Sequence, residues 1–232
     1  QYGSGITTDI SSRIKNSTTA ILINTNGNDV SFAGELDSSN TLGLTKNGTG
    51  TLSLSGNNTY TGTTTINTGV FEITSTGLLG GGAYSGNLIN KGNFLFGSDS
   101  DQTLSGIISS TGSLTKNGSG ALSLSGNNTY NGTTSINAGT LEITSTGRLG
   151  AGTYAANITN NGSLIIGSNS AQTLSGIISG TGSLTKNGSA ALTLSGNNTY
   201  SGDTIINTGT LQVSATGLLG GGSYGGNITN AA

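Results

Sequence analysis

The chain has 232 residues, including 42 Gly but no Pro, Cys, Met, Trp or His. Without His or Cys it cannot form a Ser-His-Asp triad, a thiol nucleophile, an imidazole metal site or a thiolate zinc site. Seven basic and nine acidic residues leave a formal net charge of -2, which is too weak and of the wrong sign for tracking phosphates, so no nucleic-acid partner is expected.

Leu, Ile, Val and Phe together supply 51 residues, about 22% of the chain and just above the range typical of disorder. Disordered chains combine such a value with high net charge, and this chain does not. The composition suits a protein that folds by stacking its backbone over a thin core. No apolar run approaches the roughly 18 residues that cross a bilayer, so the chain is not expected to span a membrane. It begins with Gln1, and absence of Cys fits a secreted or cell-surface bacterial protein.

In chain order, residues 1–19 come first, with Ile6, Ile10 and Ile14 four apart and Asp9 and Arg13 also at i,i+4. A short amphipathic capping helix is the favoured reading, and an arm that locks onto a neighbour the other. Residues 20–43 read as a partial first repeat. Residues 44–113 and 114–183 match at 48 of 70 positions, and 184–232 is a truncated third copy; LTKNG marks each start at Leu44, Leu114 and Leu184. This is a repeat protein forming one continuous solenoid.

Within the second copy, LTKNGSGALSL begins at Leu114, INAGTLEI at Ile136 and ITNNGSLII at Ile158, with the next copy at Leu184. The intervals of 22, 22 and 26 residues predict three coils per 70-residue repeat. Apolar and polar residues alternate in Leu122-Ser123-Leu124 and Leu141-Glu142-Ile143, as in half-buried strands, and Asn-Gly breaks bound them. The expected interior column includes Leu52, Leu54, Ile66, Ile73, Leu122, Leu124, Ile136, Leu141, Ile143, Ile158, Leu164, Leu174, Leu192, Leu194 and Ile206. A β-propeller would need four or more blades of about 40–50 residues, which fewer than three long copies do not supply. Coils stacked at about 4.8 Å from Leu44 to Ile228 would make a rod of roughly 38 Å.

The segments LTKNGTGTLSLSGNNTYTGTTTINTGVFEI (Leu44 to Ile73), LTKNGSGALSLSGNNTYNGTTSINAGTLEI (Leu114 to Ile143) and LTKNGSAALTLSGNNTYSGDTIINTGTLQV (Leu184 to Val213) resemble the autotransporter-associated β-strand repeat, also called the passenger-associated transport repeat. The resemblance covers residues 44–232 well and 21–43 weakly. It implies an all-β fold, a right-handed parallel β-helix, in exported passengers of large Gram-negative surface proteins, where the repeat helps secretion and builds a stalk. Such passengers are commonly adhesins or scaffolds. The C-terminal membrane barrel and distinct effector domain of that family have no counterpart in these residues, so a fragment of a larger passenger or a small repeat-only protein is expected.

At the 70-residue period Lys46, Lys116 and Lys186 should form a sparse row about 14 Å apart, three coils of 4.8 Å. It could contact anionic glycan or lipopolysaccharide, though solubilising charge is the preferred reading. Tyr60, Tyr130 and Tyr200 form another row, and Tyr84, Tyr154 and Tyr224 a third. They read as corner residues covering the core, with stacking on sugars as the alternative. Asp99 and Asp101 are a close acidic pair, but Asn169 and Ala171 replace them in the next copy, so neither catalysis nor calcium binding is expected there. No metal or other cofactor is expected. The many N-x-S/T triplets, such as Asn127-Asn128-Thr129, arise readily from the composition.

The repeat phase starts near Ala20 and Ala232 falls at that same phase, so head-to-tail stacking of copies is a hypothesis, with Asn227, Ile228 and Ala232 meeting the end that carries Ile6, Ile10 and Ile14. The leading functional expectation is a non-enzymatic extracellular β-solenoid, a stalk or fibre subunit for adhesion or biofilm scaffolding. The alternative is a glycan-binding or ice-binding module using Tyr, Lys or Thr rows. The irregular Thr63-Thr64-Thr65, Thr133-Thr134-Ser135 and Asp203-Thr204-Ile205 series weakens the ice-binding version.

Overall fold

A chain with period-2 alternation and a Gly- or Asn-containing break every few residues can make only short strands joined at corners. The computed structural model, which describes Gly3 and residues 7–232, has that form. Its parallel strands stack into a β-solenoid of about ten turns with almost no helix.

Each turn visits three faces. On the first, Ile21, Leu44, Thr64, Leu88 and Ile108 stack in register. On the second, the ladder runs from Val30 through Leu52, Phe71, Phe94, Leu114, Thr134 and Ile158 to Ile178. On the third, Tyr84, Leu104, Leu124, Ile143, Ile166, Lys186, Ile206 and Asn230 are stacked. The first face resumes after a parallel bridge between Asn127 and Arg148 and continues through Thr153–Tyr154, Gln172–Leu174, Leu192–Leu194 and Leu211–Val213.

These ladders correct the coil count. Leu44, Leu114 and Leu184 are equivalent in sequence, yet each lies on a different face: Leu44 pairs with Thr64, Leu114 with Phe94 and Thr134, and Leu184 with Leu164 and Thr204. From Leu44 the first face is revisited at Thr64, Leu88 and Ile108, and Leu114 follows one face later. A 70-residue repeat is therefore three turns and one further face. Leu114, Ile136 and Ile158 do follow one another on one face, but the last interval, from Ile158 to Leu184, is one turn and one further face, because Ile158 pairs with Ile178 whereas Leu184 pairs with Leu164.

The apolar column lies where the alternation placed it. Leu52, Leu54, Leu122, Leu124, Ile136, Leu141, Ile143, Leu164, Leu192 and Leu194 are fully buried, and Ile206, on the last turns, is only half-buried. Phe71 and Phe94 stack at 6.1 Å between adjacent turns. At one corner the coil spacing leaves no room for a side chain: a Cβ on Gly118 would lie 2.0 Å from the Ser98 carbonyl oxygen, so only Gly fits there.

The segment before the repeat is a correction. The expected amphipathic helix is a single 3-10 turn, Ser11–Arg13. Ile10 and Ile14 do pack against the core, while Ile6 lies outside the described residues. Asp9 does not need Arg13, because its carboxylate accepts hydrogen bonds from the backbone N–H of Ser11, Ala33 and Gly34. Residues 7–17 follow the first coil and satisfy backbone groups a preceding coil would otherwise meet, so covering is achieved by hydrogen bonding in extended chain rather than by helix formation.

Candidate functional site

The residues singled out as ligand-facing rows point inward. Lys46, Lys116 and Lys186 are at most 1% exposed, each on a different face. They form neither an exposed row nor a single row, because a period of three turns and one face rotates successive copies apart. In each strand the Lys occupies an inward position of the alternation, between Leu and the corner Gly, and its ammonium meets backbone carbonyls. Lys46 Nζ donates to the carbonyls of Gly48 (2.6 Å), Asn47 (3.0 Å) and Thr68 (3.2 Å) and to Thr25 Oγ1 (3.3 Å). Lys116 donates to Gly118 and Ala138 (3.3 Å), and Lys186 to Gly188 and Thr208 (3.1 Å). Each lysine thus joins its own corner to the corner of the next turn. Lys116 also lies 5.6 Å from the centre of the Phe96 ring, within cation–π range.

Burial lowers the pKa of all three ammonium groups, and that of Lys46 falls to about 8. Asp29 partly offsets the effect at Lys46, and Asp99 and Asp101 do so at Lys116.

The two tyrosine rows meet as pairs. Tyr60 and Tyr84 approach edge to face at 5.7 Å and share Thr64, whose hydroxyl lies 2.7 Å from one phenol and 2.8 Å from the other; Tyr84 also donates to the Gly62 carbonyl. The arrangement recurs in Tyr130–Thr134–Tyr154 and Tyr200–Thr204–Tyr224. Tyr60, Tyr130 and Tyr200 are fully buried, so no ring face is available for a sugar. Burial pushes their phenol pKa values up, and raises those of Tyr84 and Tyr154 as well.

The acidic pair is also used in stacking. Asp99 accepts from the N–H and hydroxyl of Ser119, both at 2.8 Å, and Asp101 accepts from the N–H of Ala121 at 2.7 Å. Asn169 binds Ser189 in the same way, which explains why an amide replaces the carboxylate there without loss. Among the described residues, no group of three or more His, Cys, Asp and Glu side chains could hold a metal ion.

Sequence reasoning missed the buried amides. Asn58, Asn128 and Asn198 are fully buried; their side-chain oxygens accept from Leu36, Ile108 and Ile178 N–H, and their nitrogens donate to Gly56, Gly126 and Gly196 carbonyls. Gln102 and Gln172 likewise bridge to both backbone groups of Leu79 and Leu149. Each Asn follows an equally repeated Asn, and only the corner geometry tells which one turns inward.

A shallow groove of about 340 Å³ is lined by Thr63, Asn87, Ile89, Ile107, Ser109 and Thr129, with no charged group. At the C-terminal end, Val213, Leu218 and Ile228 are exposed large hydrophobic residues. Asn227 N–H donates to Asp203 of the preceding turn, and Ala232 N–H donates to Asn230 two residues before it, so both are engaged within the chain itself.

A solenoid stitched from within by recurring Lys, Tyr-Thr-Tyr and Asn stations defines a structural repeat protein. Residues 44–73, 114–143 and 184–213 match the passenger-associated transport repeat, and the chain carries three copies of it. It is 42% identical over 221 residues, 95% of its length, to the adhesin BmaC autotransporter of Brucella suis biovar 1 (strain 1330). The chain spans only 5% of that relative's length. No solved structure matches it.

Proposed function

We propose that this chain is a non-enzymatic structural segment of a secreted or cell-surface bacterial passenger, a stiff stalk that holds adhesive parts away from the cell. The observation that carries this reading is the inward use of the recurring polar side chains: Lys116, Asn128 and the Tyr130–Thr134–Tyr154 station all bind neighbouring turns. The transport-repeat matches and the similarity to an adhesin autotransporter support the same reading. The test is to delete residues 114–183 from the surface-displayed protein and measure adhesion and the height of a distal epitope. A stalk shortens by about 16 Å, from three and one-third turns of 4.8 Å, and keeps its binding specificity. Loss of specific binding together with the same shortening would instead make this segment the adhesive surface.

Head-to-tail fibre formation is the second reading, in which a following copy would cover Val213, Leu218 and Ile228 on the last turns. Biofilm scaffolding would follow from it. On the opposite end, Ile10 and Ile14 are engaged with the chain's own core, so a copy docking there must displace residues 7–17. Light scattering over a concentration series separates the readings: growth into filaments supports the fibre, and a monodisperse rod supports the stalk.

A further inference from the structure

We infer that the 70-residue repeat is a rotational unit, so that gaining or losing one copy turns everything beyond it by one face of the solenoid. Equivalent residues of successive copies belong to successive ladders. Lys46 stacks with Ile66 on the first face, Lys116 with Ile136 on the second and Lys186 with Ile206 on the third. The second strand of the repeat obeys the same rule: Leu52 pairs with Phe71, Leu122 with Leu141, and Leu192 with Leu211, again on three successive faces. With three faces per turn, the advance is about 120° around the axis and about 16 Å along it for each added copy. Orientation returns only after three copies.

The rotation does not depend on what any copy binds, because it is set by the corner-to-corner register. The stitching residues move with the copy, so a repeat inserted on a face it did not occupy before still finds its partners. Lys116 on the second face and Lys186 on the third make the same pair of carbonyl contacts, to the Gly two residues on and to the residue 22 positions on. The three faces are thus interchangeable for the interior. Outside, the same copy presents Glu72, Glu142 or Gln212 in three different directions. If the segment is a stalk, as proposed above, unequal exchange between the similar copies re-aims the distal part without any change in its sequence.

The test places small rigid marker domains at two exposed turns, after Asn26 and after Ala215, in the full chain. Variants carry zero, one, two or three extra copies of residues 114–183, and the azimuth between markers is measured by electron microscopy of single rods. The expected azimuth advances by about one third of a turn per copy and returns to its starting value at three. The same azimuth in all four variants would overturn the inference. A deletion of residues 114–183 gives an independent check, with the rotation in the opposite sense. The marker separation, which lengthens with each copy whether or not the rod turns, tests the solenoid itself.

Discussion

The second and third repeats are similar sequences in different surroundings. In the second, Leu141, Ile143, Leu149, Tyr154 and Ile158 are each at most 1% exposed; in the third, Val213 is 40% and Ile228 56% exposed, and Leu211, Leu219 and Tyr224 are only partly buried. The hydrogen-bond stations are intact in both, with Tyr200–Thr204–Tyr224 at 2.7 Å matching Tyr130–Thr134–Tyr154 at 2.8 Å. Burial in this fold is therefore a property of the turn above, not of the residue. That is the expected behaviour of a quasi-one-dimensional protein, whose stability is a sum of local and nearest-neighbour contributions.

Core truncation should break the equivalence most strongly. Leu141→Ala should cost about 2–5 kcal/mol, as buried Leu to Ala changes do, and Leu211→Ala less than half of that. Urea denaturation checks both, and equal costs would mean that the overlying turn contributes nothing. A smaller loss is expected from Lys116→Met, which keeps the stem and removes the ammonium from the Gly118 and Ala138 carbonyls. Leaving these buried acceptors unmet should cost about 1–3 kcal/mol. The exposed Lys91→Met should change stability by no more than about 0.5 kcal/mol, and a Lys116 effect as small would restore the surface reading of that residue. Tyr154→Phe should cost about 1 kcal/mol by removing the hydroxyl between Thr134 and the Gly132 carbonyl. Tyr224→Phe, with water nearby, should cost a fraction of that.

A further effect is with pH. Lys46 has a folded pKa of about 8 against 10.5 for the free group. Between those values the unfolded chain holds more protons than the folded one, so stability rises with pH. Above about 10 the sign reverses: the unfolded tyrosines ionise near their ordinary value of 10.0, whereas burial keeps Tyr60, Tyr84, Tyr130, Tyr154 and Tyr200 protonated. Denaturation midpoints should increase from pH 7 to 9 and then fall by pH 11. A monotonic decline from pH 7 would show that the lysines keep ordinary pKa values inside the fold.

The sequence by itself determined the all-β repeat character, the period of 70 residues, and which Leu and Ile residues form the column, because alternation assigns a face within each strand whatever the strand pairs with. Leu122, Leu124, Leu141 and Ile143 needed no more than that. It also excluded His- and Cys-dependent chemistry by composition alone. Only the tertiary structure decided how many turns a repeat contains, since that depends on the register between strands about 20 residues apart, as in Leu114 with Thr134, and corner lengths vary. The side-chain sites depended on it too. Lys46, Lys116 and Lys186 look like surface charge in one dimension, and become interior groups because stacked corners converge several backbone carbonyls on a point that only a long flexible cation reaches.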